Sequence, residues 1–398
     1  MGLDKFTETN YTNYGQNIGN SLKGIFLGII LLIGSIVLLW WNEGRSVEQA
    51  TALEEMQDNI VIVDGTQYDM QNDAKPILLQ GVVKPLTELV DPEFAVKSDG
   101  LILRKDVKMY QWKEKKESKS QDKLGGGTET VTTYTYVKEW SSSSNNSSEF
   151  KYPQGHENPL MTHQSDTFIA DAQLGDFHLD KSVVSAISTS LPYNGLAGMP
   201  EHVGVAKNYK TFLYVGWDPS RPNIGDMKIT YSYAPAGVYT FAAKQSAKSL
   251  VPYTTENGKD FIFARQGRVS AQTIFKEELD ANTLLTWILR GVGLVMMFIS
   301  FTLVLGPLST FAKVIPMLGS LVGGVTGIVA MALTFILGSV IIALAWFSAR
   351  PLLSLSILVI GVAIAFMLGK HGKSKPATTS ETQRPTDASE QNPSSSET

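Results

Sequence analysis

The fold of this chain is decided by residues 291–369, which read GVGLVMMFISFTLVLGPLSTFAKVIPMLGSLVGGVTGIVAMALTFILGSVIIALAWFSARPLLSLSILVIGVAIAFMLG. The only charged residues in this stretch are Lys313 and Arg350, which divide it into three apolar segments. A helix needs about 20 apolar residues to cross a hydrocarbon core of roughly 30 Å. The residues 313–323 are expected to form a short re-entrant or interfacial connection. We therefore predict membrane-spanning helices at residues 290–312, 324–347 and 351–369.

A fourth apolar segment, residues 23–41, lies far upstream. Trp40 and Trp41 end it where a signal peptide would have small residues, so we predict an uncleaved anchor. Residues 42–289 then form a water-facing domain that is held to the membrane at both ends. The predicted fold class is a polytopic α-helical membrane protein with four transmembrane helices, one N-terminal and three C-terminal, and a large α+β extracytoplasmic domain rich in β-hairpins.

The charges that flank the spans predict their orientation. Three lysines and one histidine occur in residues 370–375, directly after the last span, and basic residues close to a span stay on the cytoplasmic side. An even number of spans places both termini on that side. Residues 1–22 are thus predicted to be a cytoplasmic tail, lying along the membrane or disordered. Residues 370–398 are predicted to be a disordered cytoplasmic tail, because they hold few apolar residues.

Aromatic and basic residues mark the outer membrane surface in this topology. Amphipathic indole rings prefer the interface, and four of the seven tryptophans fall at this level. Arginine side chains there can reach lipid head groups by extending their aliphatic stems. The predicted interface anchors are Trp40, Trp41, Arg45, Trp287, Arg290, Trp346 and Arg350.

The composition excludes several classes of function. The net charge of −4 argues against a nucleic-acid partner, which ordinarily requires a basic face. The chain has no cysteine, which excludes disulfides, thiolate metal sites and a thiol nucleophile. The domain must therefore be stable through its own core.

Periodicity indicates the elements of the domain. A helix is predicted at 45–59, followed by strands. A long hairpin pairs 101–112 with 131–140 and has a flexible tip at Gly125–Gly127. A helix that Ser270 caps is predicted to run without interruption into the second span. A second hairpin is predicted to turn at Pro235, between strands 227–233 and 237–243.

Small residues recur at four-residue spacing within the spans, which allows close approach between helices. Two interpretations stay open: packing among the four spans of one chain, and self-association between copies. The residues predicted for helix association are Gly24, Gly28, Gly319, Gly323, Gly327, Gly361, Ala365 and Gly369.

Patterns that indicate catalysis are weak. His156 and His163 are separated by Pro159 and do not have the one-turn spacing of a zinc helix. They could still converge with Asp166 in space. The sequence has no Gly-x-Ser-x-Gly elbow, and no ionisable residue interrupts the interior of a span, which gives a transport path no support. We therefore predict no enzyme activity, no metal and no cofactor.

Short motifs spread along nearly the full length, in this order: Asn42-Glu43-Gly44-Arg45, Met109-Tyr110-Gln111-Trp112, Glu139-Trp140, Gly155-His156 with Asn158-Pro159, Gly225-Asp226 before Tyr231-Ser232-Tyr233-Ala234, Thr286-Trp287 with Arg290, and Arg350-Pro351-Leu352. With them, the chain resembles the transmembrane protein 43 family, also called LUMA. The resemblance implies termini in the cytoplasm or nucleoplasm and a luminal domain. It also implies a scaffold of the endoplasmic reticulum and inner nuclear membrane, with emerin and lamins among its partners.

Three hypotheses for function follow. The first is a non-enzymatic scaffold that forms homo-oligomers in the lipid bilayer and organises other membrane proteins. The second is an envelope sensor or transport accessory whose domain binds a ligand or lipid. The third is a metal-dependent hydrolase that uses His156, His163 and Asp166. The absence of cysteine favours a bacterial relative, for which the membrane would be the cell inner membrane and lamin-type partners would not apply.

Overall fold

Three long helices and two large β-sheets make up residues 4–63 and 65–349, the part of the chain that the computed structural model describes. The first of the long helices has 46 residues and the second has 42. As predicted, Ser270 caps the second long helix by accepting a hydrogen bond from the Thr273 amide. This helix continues from the domain into the second candidate span. The helices are α1 (Tyr14–Asn59), α2 (Lys181–Val184), α3 (Ala271–Ala312) and α4 (Pro316–Ala349).

The strands form sheet A with nine strands, sheet B with seven, and two ribbons of two strands each. Sheet A consists of β1 (Asp4–Thr12), β6 (Ile102–Asp122), β7 (Thr128–Ser141), β8 (Asp166–Ile169), β11 (Leu191–Pro192), β12 (His202–Val203), β13 (Ala206–Asn208), β14 (Leu213–Val215) and β15 (Met227–Ala234). Sheet B consists of β2 (Val61–Ile62), β3 (Pro76–Pro85), β9 (Ala172–Leu174), β10 (Phe177–Leu179), β16 (Gly237–Ser246), β17 (Ser249–Val251) and β20 (Phe263–Gln266). The ribbons are β4 (Leu89–Asp91) with β5 (Val96–Ser98), and β18 (Tyr253–Thr254) with β19 (Asp260–Phe261).

Sheet B lies between two apolar cores. Leu79 and Phe241 belong to a core that includes residues of sheet A. On the opposite face, Leu78 packs with Leu53 of α1 and Phe275 of α3. Successive side chains of a strand point to opposite faces, so β3 serves both cores. The long helices are thereby joined to the domain by a shared apolar core as well as by the continuous chain.

The predicted long hairpin is present and extends further than expected. β6 and β7 pair from Met109 opposite Ser141 to Asp122 opposite Thr128, so the charged residues that follow 112 are strand and not loop. The first residues of the chain differ more from expectation. They form β1, which pairs along β7 from Asp4 opposite Tyr136 to Thr12 opposite Thr128. Alternating threonines favour this extended conformation, because their β-branched side chains suit a pleated strand.

The hairpin tip contacts the ends of α1 and α3 that lie away from the domain. The side-chain amide of Asn17 donates to the Gly126 carbonyl and to the Thr128 hydroxyl, at 2.9 Å each. The Gly125 amide donates to the Val314 carbonyl at 3.1 Å, and Lys313 forms an ion pair with Asp122 at 3.2 Å. The hairpin therefore runs beside the helices from the domain to their far ends.

The three long helices pack together as a bundle, with Leu39, Met297 and Ile341 at its centre. By length and composition, all three could cross a membrane. The connection expected at 313–323 is shorter, because α4 already begins at Pro316. Proline suits the first turn of a helix, where its missing N–H has no partner to lose. The predicted span 351–369 and the tail 370–398 lie outside the described residues.

The predicted hairpin around Pro235 is wrong. β15 belongs to sheet A and β16 to sheet B, and they do not pair with each other. Both edges of β15 are already used, by β6 on one side and by β14 and β11 on the other. β16 instead pairs with β3, β17 and β20. The chain at Pro235 is thus a crossing between sheets.

Candidate functional site

A layer of polar side chains lies between α1 and α3 where the two helices leave the domain. The three residues from α3 are four apart in sequence and share one helix face. Most of these side chains are buried, and they bond to one another across the two helices. We call this group the polar layer; it consists of Asn42, Glu43 and Arg45 from α1 and Asn282, Thr286 and Arg290 from α3.

The strongest contact of the polar layer is an ion pair. The Nε and Nη2 atoms of Arg290 donate to the two carboxylate oxygens of Glu43, at 2.6 and 2.7 Å. The Glu43 side chain is only 3% exposed and that of Arg290 19%. The guanidinium also lies over the Trp287 ring, 4.7 Å from its centroid. Two-pronged pairing fixes the relative rotation and height of the helices, because both donors must meet both acceptors.

Arg45 makes a second set of contacts. Its guanidinium donates to the side-chain oxygens of Asn282 and Thr286, at 2.9 Å each, and to Asn42 at 3.3 Å. The Nε atom of Arg45 is buried and has no partner among the described residues. Beside this residue is a cavity of about 160 Å³ that Trp40, Trp41 and the end of α4 also line. Two of the three arginines that were predicted to anchor head groups, Arg45 and Arg290, are thus engaged by side chains of α1 and α3.

The predicted tryptophans lie at the domain end of the bundle. Trp40 and Trp41 are 47% and 55% exposed, and Trp287 is 63% exposed, so their rings face outward. Trp346 lies near the end of α4, with its ring 5.6 Å from that of Phe347. The cavity beside Arg45 brings Trp40 and Trp41 next to Ala345, which precedes Trp346 in sequence.

The predicted small residues fall in different surroundings. Gly28 faces α3 so closely that a Cβ atom there would lie 2.9 Å from Val304 and 3.0 Å from the Ser300 carbonyl. Gly24 also faces α3, at 3.8 Å from Leu303. These two residues therefore pack within the chain.

The predicted glycines of α4 differ in how closely the described residues surround them. A Cβ atom at Gly319 would meet Lys313 just before its own helix, and one at Gly323 would lie 3.8 Å from Ser309. At Gly327 nothing among the described residues comes within 4 Å. Four further predicted site residues lie outside the described ranges: Arg350, Gly361, Ala365 and Gly369.

A second buried polar cluster lies in the domain. The Lys105 ammonium is 2.5 Å from the Glu93 carboxylate and 3.4 Å from that of Asp91. Tyr231 donates to Asp91 at 2.6 Å, and His163 contacts the other oxygen of Glu93. Burial and the hydrogen bond to Asp91 raise the pKa of Tyr231 above its usual range. These contacts join the β4–β5 ribbon to sheet A.

The histidines proposed for a metal site do not converge. His156 is buried, stacks on Tyr136 with ring centroids 3.9 Å apart, and faces Asp4 at 3.3 Å. His163 belongs to the Lys105 cluster, and Asp166 begins β8. Over residues 4–63 and 65–349, no group of three or more His, Asp or Glu side chains is placed to hold a metal ion.

Sequence reasoning missed most of the polar layer. Asn42, Glu43, Asn282 and Thr286 were not identified as its members. The spacing of four from Asn282 through Thr286 to Arg290, continuous with an apolar span, was the available signal. Glu43 could not be matched to Arg290 in advance, because residue pairing between distant helices depends on their packing.

The known proteins that are similar to this chain belong to one family. The family model for transmembrane protein 43 matches residues 109–351. Human transmembrane protein 43 is 29% identical over 380 residues, which cover 92% of this chain and 93% of that protein. The Pongo abelii protein of the same name is 30% identical over 366 residues, 88% of this chain and 90% of that protein.

The similarity extends beyond vertebrates. The Drosophila melanogaster transmembrane protein 43 homolog is 29% identical over 349 residues, 84% of this chain and 91% of that protein. No solved structure matches the chain significantly. The family model covers more than half of the chain, and these relatives cover nearly all of it. The chain therefore belongs to the transmembrane protein 43 family.

Proposed function

We propose that this protein is a non-enzymatic membrane scaffold, which self-associates in the bilayer and presents its β-rich domain to other membrane proteins. The observation that carries the proposal is the rigid coupling between domain and bundle. α1 and α3 continue from the bundle into the domain, and the Glu43–Arg290 pair fixes one against the other. A domain held in one orientation above the membrane offers partners a fixed docking surface.

The proposed self-association uses the face of α4 on which Gly327 lies. Among the described residues, nothing lies within 4 Å of a Cβ atom at Gly327, whereas Gly28 is in close contact with α3. Without side chains at such positions, two helices can approach closely and gain van der Waals contact, which drives association in lipid. In a eukaryote the scaffold would belong to the endoplasmic reticulum and inner nuclear membrane, where emerin- and lamin-type partners apply; in a bacterium it would belong to the inner membrane.

Replacement of Gly327 by leucine tests this proposal. We expect Gly327→Leu to shift the full-length protein toward the monomer, because the new side chain holds the helices apart. The measurement is the mass distribution after crosslinking in native membranes and mild solubilisation. Ala332→Leu is the matched control, since Ala332 is exposed on a different face of α4. An unchanged oligomer in Gly327→Leu, or equal loss in both variants, contradicts the proposed interface.

A second candidate function is sensing of a ligand by the domain. It is favoured by a large cavity next to the points where α1 and α3 join sheet B, lined in part by Ile62 and Arg268. Protection of the Ser270 end of α3 from proteolysis by a ligand would distinguish a sensor from a passive scaffold.

A further inference from the structure

A cavity of about 820 Å³ lies on sheet B, at the point where the long helices cease to cover it. Along β3, Leu78 is buried under α1 and α3. Two residues further, Gln80 donates to the Val269 carbonyl at 2.8 Å, just before α3 begins. Beyond it on the same face, Val82 and Lys84 are exposed. The cavity is therefore the uncovered part of a sheet face whose other part is core.

One rim of the cavity is held in place by a tight contact. Gly175, in the turn between β9 and β10, has φ of +57°, and a Cβ atom there would overlap Thr66. The Asp176 amide donates to the Thr66 carbonyl at 2.9 Å. The absence of a side chain at Gly175 lets Thr66 lie directly on this turn. The rim is thus fixed by packing and by a backbone hydrogen bond.

The lining combines positive charge with apolar surface. Lys84 and Arg268 both line the cavity, and neither side chain forms a hydrogen bond or ion pair within residues 4–63 and 65–349. No carboxylate is among the described lining residues; Asp64 lies outside them. Ile62 and Val82 are 72% and 51% exposed, although both are branched apolar residues of a sheet. Such a surface suits a ligand that has an anionic end and an apolar end.

We propose that this cavity binds a single-chain amphipathic anion. A carboxylate or phosphate head group lies between Lys84 and Arg268, and an alkyl chain covers Ile62 and Val82. Hydrogen bonds from cationic donors to an anionic oxygen are stronger than those between neutral groups. The volume falls within the range of about 300–1,000 Å³ that is usual for ligand sites. Binding at this site does not require self-association. A test of this proposal is therefore independent of a test of the scaffold proposal.

A ligand in this site would contact the segments that directly adjoin α1 and α3. Ile62 follows the end of α1, and Arg268 precedes the Ser270 cap of α3. A ligand that contacts both residues joins the segments from which the two long helices leave the sheet. The site is thereby suited to report a lipid-derived anion to the bundle.

Photolabelling of the full-length protein in nanodiscs tests the proposal. The probes are photoactivatable palmitate, hexadecyl phosphate and hexadecanol, which share an alkyl chain and differ in the head group. Crosslinked peptides are mapped by mass spectrometry. Labelling of α4, whose apolar residues such as Ile328 are exposed, serves as the internal reference for partition into lipid.

We expect the charged probes to label β2 and β3 next to the cavity, and hexadecanol to label α4 alone. The double variant Lys84→Gln/Arg268→Gln should reduce cavity labelling by roughly tenfold or more, since each lost charged hydrogen bond weakens binding. Lys84→Arg should retain labelling, and Lys75→Gln, an exposed lysine outside the cavity, is the control. Labelling by only one charged probe supports the site and identifies its head group. Unchanged labelling in the double variant, equal labelling by hexadecanol, or none at the cavity overturns the proposal.

Discussion

Glu43 and Arg290 show how a buried charge contributes to this fold. Removing one partner of a buried ion pair leaves the other charge without compensation, whereas replacing both with apolar residues is far less costly. The Glu43 carboxylate is the more buried of the two. The contribution of the pair to stability therefore depends on a cation that stays opposite Glu43.

Replacement of Arg290 by methionine should destabilise the protein by roughly 3 kcal/mol, because the Glu43 carboxylate is left buried and unpaired. The free energy of unfolding, measured by steric trapping in micelles, checks this value. The double variant Glu43→Leu/Arg290→Met should recover most of the loss. If the single and double variants are equally destabilised, lost packing and not an unpaired charge is the cause.

Glu93 makes the stability of the domain depend on pH. Burial alone would raise the pKa of this carboxyl, but hydrogen bonds from Lys105 and His163 outweigh burial and lower the pKa. A carboxyl whose pKa is lower in the folded state stabilises the fold above its ordinary pKa. That stabilisation is lost as the pH falls through the lowered value.

The pH dependence can be measured by thermal unfolding below the ordinary glutamate pKa of 4.5. We expect the melting temperature of the unaltered protein to fall more steeply with decreasing pH than that of Glu93→Gln, which lacks the titrating group. Glu88→Gln, an exposed carboxylate in a surface ion pair with Lys97, is the control and should leave the slope unchanged. Equal slopes in all three proteins would contradict a role for Glu93.

At the level of elements, the periodicity of the sequence located the helices and strands whose formation depends on nearby residues. The apolar runs identified α1, α3 and α4 as candidate spans, and Ser270 identified the start of α3. The hairpin of β6 and β7 followed from two alternating runs around a glycine-rich tip. Each of these features depends on residues that are near one another in sequence.

Other elements depend on partners that are distant in sequence. β1 is polar and resembled a tail, because the strand that it pairs with, β7, is more than a hundred residues away. The strands on either side of Pro235 resembled a hairpin, but the edges of β15 were already filled by β6, β11 and β14. Likewise the polar layer became visible only once α1 and α3 were paired. Long-range pairing is the information that a single sequence does not display.

Within the described residues, α1, the domain and the β6–β7 hairpin close into a ring. The domain core holds α1 at Leu53, and the hairpin tip holds it again at Asn17, about 54 Å away at 1.5 Å per residue. The hairpin is long enough to cover this distance, since β6 alone has 21 residues at about 3.3 Å each. Helix and hairpin thus join the same two points.

A disulfide trap tests whether this ring exists in the membrane. Since the chain has no cysteine, the double variant Asn17→Cys/Thr128→Cys contains no competing thiol. These side chains are in contact at 2.9 Å, so we expect a rapid crosslink under mild oxidation in native membranes, read as a mobility shift that reduction reverses. Asn17→Cys/Thr132→Cys, which places the thiol further along β7, should not crosslink. Absence of the first crosslink would mean that the ring is open.

The polar hairpin sets a condition on the surrounding lipid. Both of its faces carry charged or hydroxyl side chains, among them Lys115, Lys116, Glu117 and Thr133. Hydrocarbon cannot solvate such groups or the unpaired edge of a sheet. Yet the hairpin runs beside helices whose outer surfaces are apolar. If the three helices cross a bilayer in this arrangement, acyl chains cannot form a closed annulus around α1, α3 and α4. A hydrated seam would then run down the side of the bundle where the hairpin lies.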